Sequence, residues 1–340
     1  MATLPSLPTS SLPIESQNGK KGEEQNPTPL QEYDDLISTL PQHEGWLPLR
    51  LRKYQGSWFP EHNLPGVIAV QKRFKARPTD LFVLSFPKSG TTWLKALAFA
   101  IITRTQHPLA HHPLHSLNPH QCVLTMDRLF ALGQASTIEA MPSPRILGSH
   151  MPFSLLRDSI EGSGCRIVYV CRDVKDVLVS WWHFHDKMRP AEMDRVPFAK
   201  ALEMFCQGIC HSGPIWSHVL EYWEESQRRP EKVLFLKYEE MMEEPTSHAK
   251  RLAEFMGCPF SLEEEKEGLV EEILKLCSFE NLRNLEVNRS DKRDAVHLAK
   301  FETLFRKGKV GDWTNHMSPE MARKLDEMTQ QKFKGSGLTV

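Results

Sequence analysis

Short apolar runs alternate with longer segments of helical character along most of this chain. Residues 81–86, "LFVLSF", form a β-rich run that stops at a proline. The stretch behind it, "TTWLKALAFAIITRT" (91–105), predicts a helix from its length and its Leu and Ala content. "SPRILGSH" (143–150) predicts a short strand. "CRIVYVCRD" (165–173) predicts a stronger one, apolar throughout as in a buried parallel sheet, with "VKDVLVSWWHFHDKM" (174–188) as the helix after it. A helical region at 199–226 breaks near Gly213 and Pro214, and "EKVLFLKYEEM" (231–241) carries a third strong strand. Residues 247–257 and 263–279 read as helices, and 64–74 as a short one. Strands alternating with helices imply an α/β fold, a central parallel β-sheet flanked by helices. Residues 1–40, rich in Pro, Ser, Gln and Glu, are expected to be a disordered N-terminal tail, with order setting in near "YDDLISTLP"; residues 41–340 are expected to form a single domain. The segment "WLPLRLRKYQGSWFP" (46–60) shows no clean period, and the proline-punctuated 107–120 region reads as loop.

In parallel sheets of this kind ligands sit beyond the carboxyl ends of the strands. Lys88, Ser89, Gly90, Thr91 and Thr92 follow the first strand, Gly148, Ser149 and His150 the short one, Arg172 the next, and Tyr238 the last. One sheet edge therefore gathers cations and hydroxyls suited to a polyanion. A helix N-terminus exposes free N–H groups and a positive dipole end, Gly90 lets a ligand approach the backbone, and Lys88 adds a full charge, so residues 88–92 predict a phosphate cradle. The alternative is an ordinary strand-to-helix turn, which seldom needs Lys, Gly and two threonines together. The order also differs from the ATP-type pattern G-x-x-x-x-G-K-[ST]: here the lysine precedes the glycine and the first glycine is missing. Ser180 lies two helical turns beyond Arg172, so a ligand touching both extends past the first loop; taken alone, the simpler reading makes Asp173 and Lys175 helix-start charges and Ser180 a filler.

Composition narrows the partners. A net charge of −1, with 40% hydrophobic and 25% charged residues among 340, is that of an ordinary globular protein and gives no reason to expect nucleic acid or acidic membrane as partner. No apolar run is long enough to span a membrane and the N-terminus has no signal-peptide pattern, so a cytoplasmic protein is expected. Seven scattered cysteines without a C-x-x-C pair fit reduced thiols. Cys206, Cys210 and His211 read as a helix face with two buried thiols rather than a metal cluster. Prolines interrupt the five histidines of 107–120, so no metal site is expected there either.

Taken together, "FPKSGTTW", "YVCRDVKDVLVS" and "FRKGKVGDW" resemble the cytosolic sulfotransferase family, and the chain is most similar to its soluble plant members from about Trp46 to the C-terminus. The resemblance implies a P-loop-like nucleotide-binding fold, the donor 3′-phosphoadenosine 5′-phosphosulfate (PAPS), no metal, and a small-molecule hydroxyl acceptor. It implies that Lys88, Ser89, Gly90, Thr91 and Thr92 hold the 5′-phosphosulfate and Trp93 stacks on adenine. It further implies that Arg172, Ser180, Arg306, Lys307 and Gly308 serve the 3′-phosphate, and that Tyr238, Ser278 and Phe279 complete the nucleotide site. Cys277 stands where the family has a threonine, which weakens a direct contact there. His150 matches the catalytic histidine, with Lys88 stabilising the leaving phosphate oxygen. Thr314 and Ser318-Pro319 depart from the dimerisation segment of animal members, so a monomer is expected. Trp46, Tyr54, Trp58, Phe153, Phe205 and the histidine-rich loop are expected to line an acceptor cleft, although core packing explains several of these residues equally well. Flavonols, hydroxyjasmonates, brassinosteroids and desulfo-glucosinolates are acceptors in the plant family, and nothing in the sequence selects one. The rival readings are a nucleotide-dependent phosphotransferase, which would need a magnesium ligand, and a nucleotide-binding regulator without turnover.

Overall fold

The computed structural model describes residues 29–46, 49–289 and 300–339. Its centre is a five-stranded, wholly parallel sheet in the order β5-β6-β4-β7-β8, formed by β4 (Leu81–Ser85), β5 (Leu124–Thr125), β6 (Ile146–Ser149), β7 (Arg166–Cys171) and β8 (Val233–Lys237). The register pairs Leu84 with Ser149 on one side and with Tyr169 on the other. The chain leaves β4, builds β5 and β6 on one flank, then crosses to β7 and β8 on the other, which leaves a crevice at the carboxyl end of β4.

The two-residue period of a strand divides these apolar runs between two cores. Phe82, Leu84, Phe86, Ile167, Tyr169 and Phe235 face one core, shared with the helices Leu64–Arg73, Val174–Met188 and Ile215–Arg228. Leu81, Val83, Val168, Val170, Leu234 and Leu236 face the other, against Thr91–Thr103, Pro245–Met256 and Leu269–Leu276. Because both faces are covered, the strands of this sheet do not alternate polar with apolar, as the sequence runs implied. At the amino edge of the sheet the buried pair Asp80 and Arg145 compensates itself, with Arg145 Nε 2.9 Å from Asp80 Oδ1.

Several expectations need correction. The aperiodic 46–60 segment is part of a three-stranded antiparallel sheet, β1 (Gln42–Glu44), β2 (Arg50–Tyr54) and β3 (Ser57–Pro60). Its alternation was masked because Arg52 is buried, its guanidinium 2.7 Å from Glu61. The expected 263–279 helix is two helices, Leu262–Lys266 and Leu269–Leu276, parted at Gly268 with φ +76°. Residues 1–28 of the expected tail lie outside the described residues, but Asp34–Thr39 is a helix whose Ile37 is buried together with Tyr33. Order is therefore present from about Tyr33, where the "YDDLISTLP" reading put it, ahead of the boundary drawn at 40. The 107–120 region contains two short helical turns, Leu109–His111 and Pro113–His115, and then Pro119–Cys122.

Candidate active site

Beyond Ser85 the chain makes a tight turn into the Thr91–Thr103 helix. Lys88 sits at φ +71° and Gly90 at φ +103°. A lysine held in the left-handed region costs roughly 1–3 kcal/mol and persists only where the surroundings enforce it, commonly at a ligand site. Gly90 has a second constraint: a Cβ there would lie 2.7 Å from Tyr238 Cδ2. No side chain caps the helix start, so its first N–H groups face the turn. Thr91 turns back to Ser85, Oγ to Oγ 2.6 Å, whereas Thr92 Oγ1 lies 3.0 Å from His120 Nε2. Ser89 Oγ is buried without a partner among the described residues.

A cavity of about 530 Å³ opens over this turn. Lys88, Arg172, Ser180, Tyr238, Arg306, Lys307 and Gly308 all line it, with Trp93, Ser278 and Phe279 on the same wall. The structure thus brings together every nucleotide-site residue expected from the sequence except Ser89, which lies buried beside the loop. Asp176 was not foreseen and explains how the distant 306–313 segment arrives. Its buried carboxylate accepts from Arg172 Nη2 at 3.3 Å, from the Gly311 amide at 2.8 Å and from the Trp313 amide at 3.0 Å. Asp312 likewise binds Arg306, and Lys307 at 2.6 Å. Burial works to raise the Asp312 pKa, but these two cations win and hold it below the usual carboxylate range.

The cations remain under-compensated. Arg172 Nε and Arg306 Nε are both buried without a partner among the described residues. Burial, then Arg172, Arg306 and Lys187, push Lys88 down to about 7, and its ammonium rests 4.1 Å over the Phe184 ring. An elongated polyanion would supply the missing acceptors and relieve the like-charge crowding, so this end of the cavity fits a phosphorylated nucleotide.

His150 stands at the junction of this charged end with an aromatic one. Its Nδ1 is 2.8 Å from the Ser85 carbonyl, which can only accept, so Nδ1 carries the proton and Nε2 keeps its lone pair. Burial, with smaller contributions from Lys95 and Lys88, lowers its pKa to about 3 and keeps the ring neutral. A relay fixes the backbone here: Tyr169 OH donates to His218 Nδ1 at 2.9 Å and His218 Nε2 donates to the His150 carbonyl at 3.1 Å. Tyr222 OH holds the next carbonyl, of Met151, at 2.7 Å.

Lys95 was also missed. Its ammonium is buried 3.2 Å from His120 Nδ1, 2.9 Å from the Val123 carbonyl and 3.1 Å from Thr125 Oγ1, directly behind Gly148. The available signal was a lone lysine in an otherwise apolar helical run, "LKALAFAII".

The aromatic end departs most from expectation. Trp46 lines the cavity, as expected, and His120 is the one contribution from the histidine-rich loop. Tyr54 instead hydrogen-bonds Gln71 at 2.7 Å. Trp58 packs on His43 in the antiparallel sheet, Phe153 on Tyr222, and Phe205 on Trp216 in the core. The actual walls include Leu49, Pro60, Trp181, Phe184 and Met188, with His62, His185 and His211 among them. Cys210 and His211 do not form a helix face. They occupy the turn after the Phe198–Cys206 helix, which the backbone of Trp58 pins through Ser212 and Gly213 at 2.7 and 2.9 Å, and both reach the cavity.

Comparison with known proteins places the chain in a family. Residues 78–337 match the sulfotransferase domain family model. Cytosolic sulfotransferase 6 of Arabidopsis thaliana is 45% identical over 91% of this chain and 94% of its own length. Flavonol 4'-sulfotransferase of Flaveria chlorifolia is 42% identical over 92% and 98%. Among solved structures, an Arabidopsis thaliana protein assigned as a steroid sulphotransferase superposes with a TM-score of 0.73 at 37% identity, covering 96% of this chain and all of that one. A mouse sulfotransferase complexed with PAP superposes at 0.67 and 28%, covering 84% and 95%. The chain belongs to the sulfotransferase family and is a sulfuryl-transferring enzyme.

Proposed function

We propose that the enzyme transfers the sulfuryl group of PAPS to a hydroxyl of a small, largely apolar ring compound in the cytosol, with His150 as general base. One observation carries the reading: a neutral imidazole with a free Nε2 lone pair shares a single cavity with the Lys88, Arg172 and Arg306 cluster. The PAP complex of the mouse relative supports the nucleotide. The fit is that of the turn at Lys88 to the phosphosulfate and of the orphaned Arg172 and Arg306 nitrogens to the outer phosphate.

The chemistry follows from placement. His150 Nε2 takes the proton of the acceptor hydroxyl as its oxygen bonds to sulfur, and the bond from sulfur to the 5′-phosphate oxygen breaks. Sulfate ester, PAP and a protonated His150 result. Transfer between two oxygens roughly in line depends on positioning and charge neutralisation, so Lys88 acts on the phosphate oxygen that gains charge. A base with a pKa near 3 is neutral but weak; an anionic donor beside it raises that value and strengthens it.

The test is to incubate the protein with sulfur-labelled PAPS and a panel of phenols, sterols and aliphatic alcohols, with and without chelator. Label is expected on ring hydroxyls, unaffected by chelator, together with a rise in melting temperature on adding PAP. Absence of both heat and melting shift with PAP would remove the reading; chelator-sensitive transfer from ATP would replace it with the phosphotransferase alternative.

A further inference from the structure

Not all of the uncompensated polar atoms in the cavity belong to the nucleotide end. Trp46 Nε1 and both ring nitrogens of His185 are buried without a hydrogen-bond partner among the described residues. Their rings are neighbours, with centroids 5.4 Å apart, and both line the cavity. Trp181 lies between them and the reacting centre: its ring is 4.8 Å from His185 and 6.1 Å from His211, which is in turn 6.3 Å from His150.

The chemistry of the pair is restrictive. An indole N–H only donates. The His185 ring is kept neutral by burial and then by the charge of Lys88, so it presents one donor and one acceptor. A ligand atom between them must accept from Trp46 and can either accept from or donate to His185. A hydroxyl or carbonyl oxygen satisfies both, and a plain hydrocarbon edge satisfies neither. Leu49, Pro60, Trp181 and Met188 also line the cavity.

We propose that Trp46 and His185 form a specificity subsite for a second oxygen on the acceptor, remote from the hydroxyl that is sulfated. The preferred substrates are then fused or linked flat rings carrying at least two oxygens, one presented to His150 and one to this pair. Simple monohydric alcohols are poor substrates because they leave the Trp46 N–H and the His185 nitrogen facing the ligand unpaired. The inference rests on the acceptor reading above.

The experiment compares a naphthol with the corresponding naphthalenediol bearing its hydroxyls on opposite rings. With the parent enzyme, kcat/KM is expected to favour the diol by about tenfold or more. His185→Phe roughly keeps ring volume but removes both nitrogens, and should lower the diol-to-naphthol ratio of kcat/KM about tenfold. Trp46→Phe should act in the same direction. Binding is read separately, by quenching of tryptophan fluorescence as the diol is titrated into PAP-saturated protein; His185→Phe should weaken the diol and not the naphthol. A parent enzyme indifferent to the second oxygen overturns the proposal. So does a His185→Phe variant that loses both acceptors alike, as expected if the ring served the sulfuryl group or only packing. Failure of PAP to shift the melting temperature of the parent is a separate result, and counts against the nucleotide reading.

Discussion

The two ends of the cavity obey one physical rule with opposite consequences. At both, burial disfavours charge. At the nucleotide end the lysine and arginines stay crowded together, and burial plus their mutual repulsion brings Lys88 to about 7. At the acceptor end burial drives His62 to about 4, His185 to about 3 and His211 well below its ordinary value, so three potential cations are neutral. The first end is a charge-frustrated site that an anion relaxes. The second offers neutral polar edges set among aromatic rings, suited to an uncharged alcohol. His150 stands at their junction, following β6 with its proton pointing at the Ser85 carbonyl of β4 and its lone pair free.

Removing that residue should have the largest effect. His150→Ala is expected to lower kcat by about 10²–10⁴ while leaving the dissociation constant of PAP within about threefold. Rapid-quench turnover and calorimetry on the same preparation check both halves. Turnover near the parental rate would dissolve the division, because the base would then lie elsewhere. Arg172→Ala should come next and do the reverse. Loss of a charge-assisted contact worth about 1.5–3 kcal/mol weakens PAP roughly 10- to 150-fold. The acceptor KM measured at saturating donor should not move. A change in acceptor KM as large as that in PAP affinity would mean the two ends are not separable.

Part of the nucleotide end was legible because Lys88–Thr92, Arg172 and Tyr238 each follow a strand end, whereas Ser180, Ser278, Phe279 and Arg306–Gly308 follow no strand and were indicated by the family resemblance. A strand followed by Pro-Lys-Ser-Gly-Thr-Thr states its own location, and so does Arg172 directly after β7. What the motifs hid was their second layer. Asp176 looks like an ordinary helix-start charge, yet three donors converge on it from residues 172, 311 and 313. The acceptor end was hardly legible. Its residues come from an irregular turn, from the face of the Val174–Met188 helix and from the rim of a small antiparallel sheet, and neither periodicity nor spacing relates one to another. Aromatic content alone pointed to Tyr54, Trp58, Phe153 and Phe205, and packing claimed all four. His211 read as part of a helix face; hydrogen bonds between Trp58 and the 212–213 backbone instead hold its turn beside the cavity.

The charge-frustrated state of the nucleotide end makes a pH prediction. Free Lys88 loses its proton near 7, and bound anion returns its pKa toward the ordinary lysine value of about 10.4. The complex therefore holds more protons than the free protein between those limits, so PAP affinity must fall as pH rises. The expected loss approaches tenfold per pH unit between about 7.5 and 9, with proton uptake visible as buffer-dependent heat. Lys88→Arg, whose guanidinium stays charged throughout, should flatten the slope even if it binds PAP more weakly. A slope that persists in Lys88→Arg would assign the proton to another group, with buried Lys95, also lowered to about 7 by burial, as the first to examine.

Lys95 itself marks where the two layers of the nucleotide end meet, and it gives the finest test. Its ammonium donates to His120 Nδ1, so His120 carries its proton on Nε2 and donates to Thr92 Oγ1; the Thr92 hydroxyl proton is thereby left for a ligand oxygen. This arrangement needs the empty space at Gly148, where a Cβ would lie 2.5 Å from Lys95 Cε and 2.7 Å from Nζ. Gly148→Ala should push the lysine tip aside without disturbing the strand, because the obstructed atoms end a flexible chain. Loss of one neutral hydrogen bond at Thr92, about 0.5–1.5 kcal/mol, predicts PAP binding weaker by roughly 2- to 12-fold. Lys95→Met should weaken it to a similar extent, and the double variant should be no worse than either single one, because both changes cut the same chain of donors. If the two effects instead add in a calorimetric double-mutant cycle, Gly148 and Lys95 act independently, and the orientation of Thr92 is set by the helix start alone.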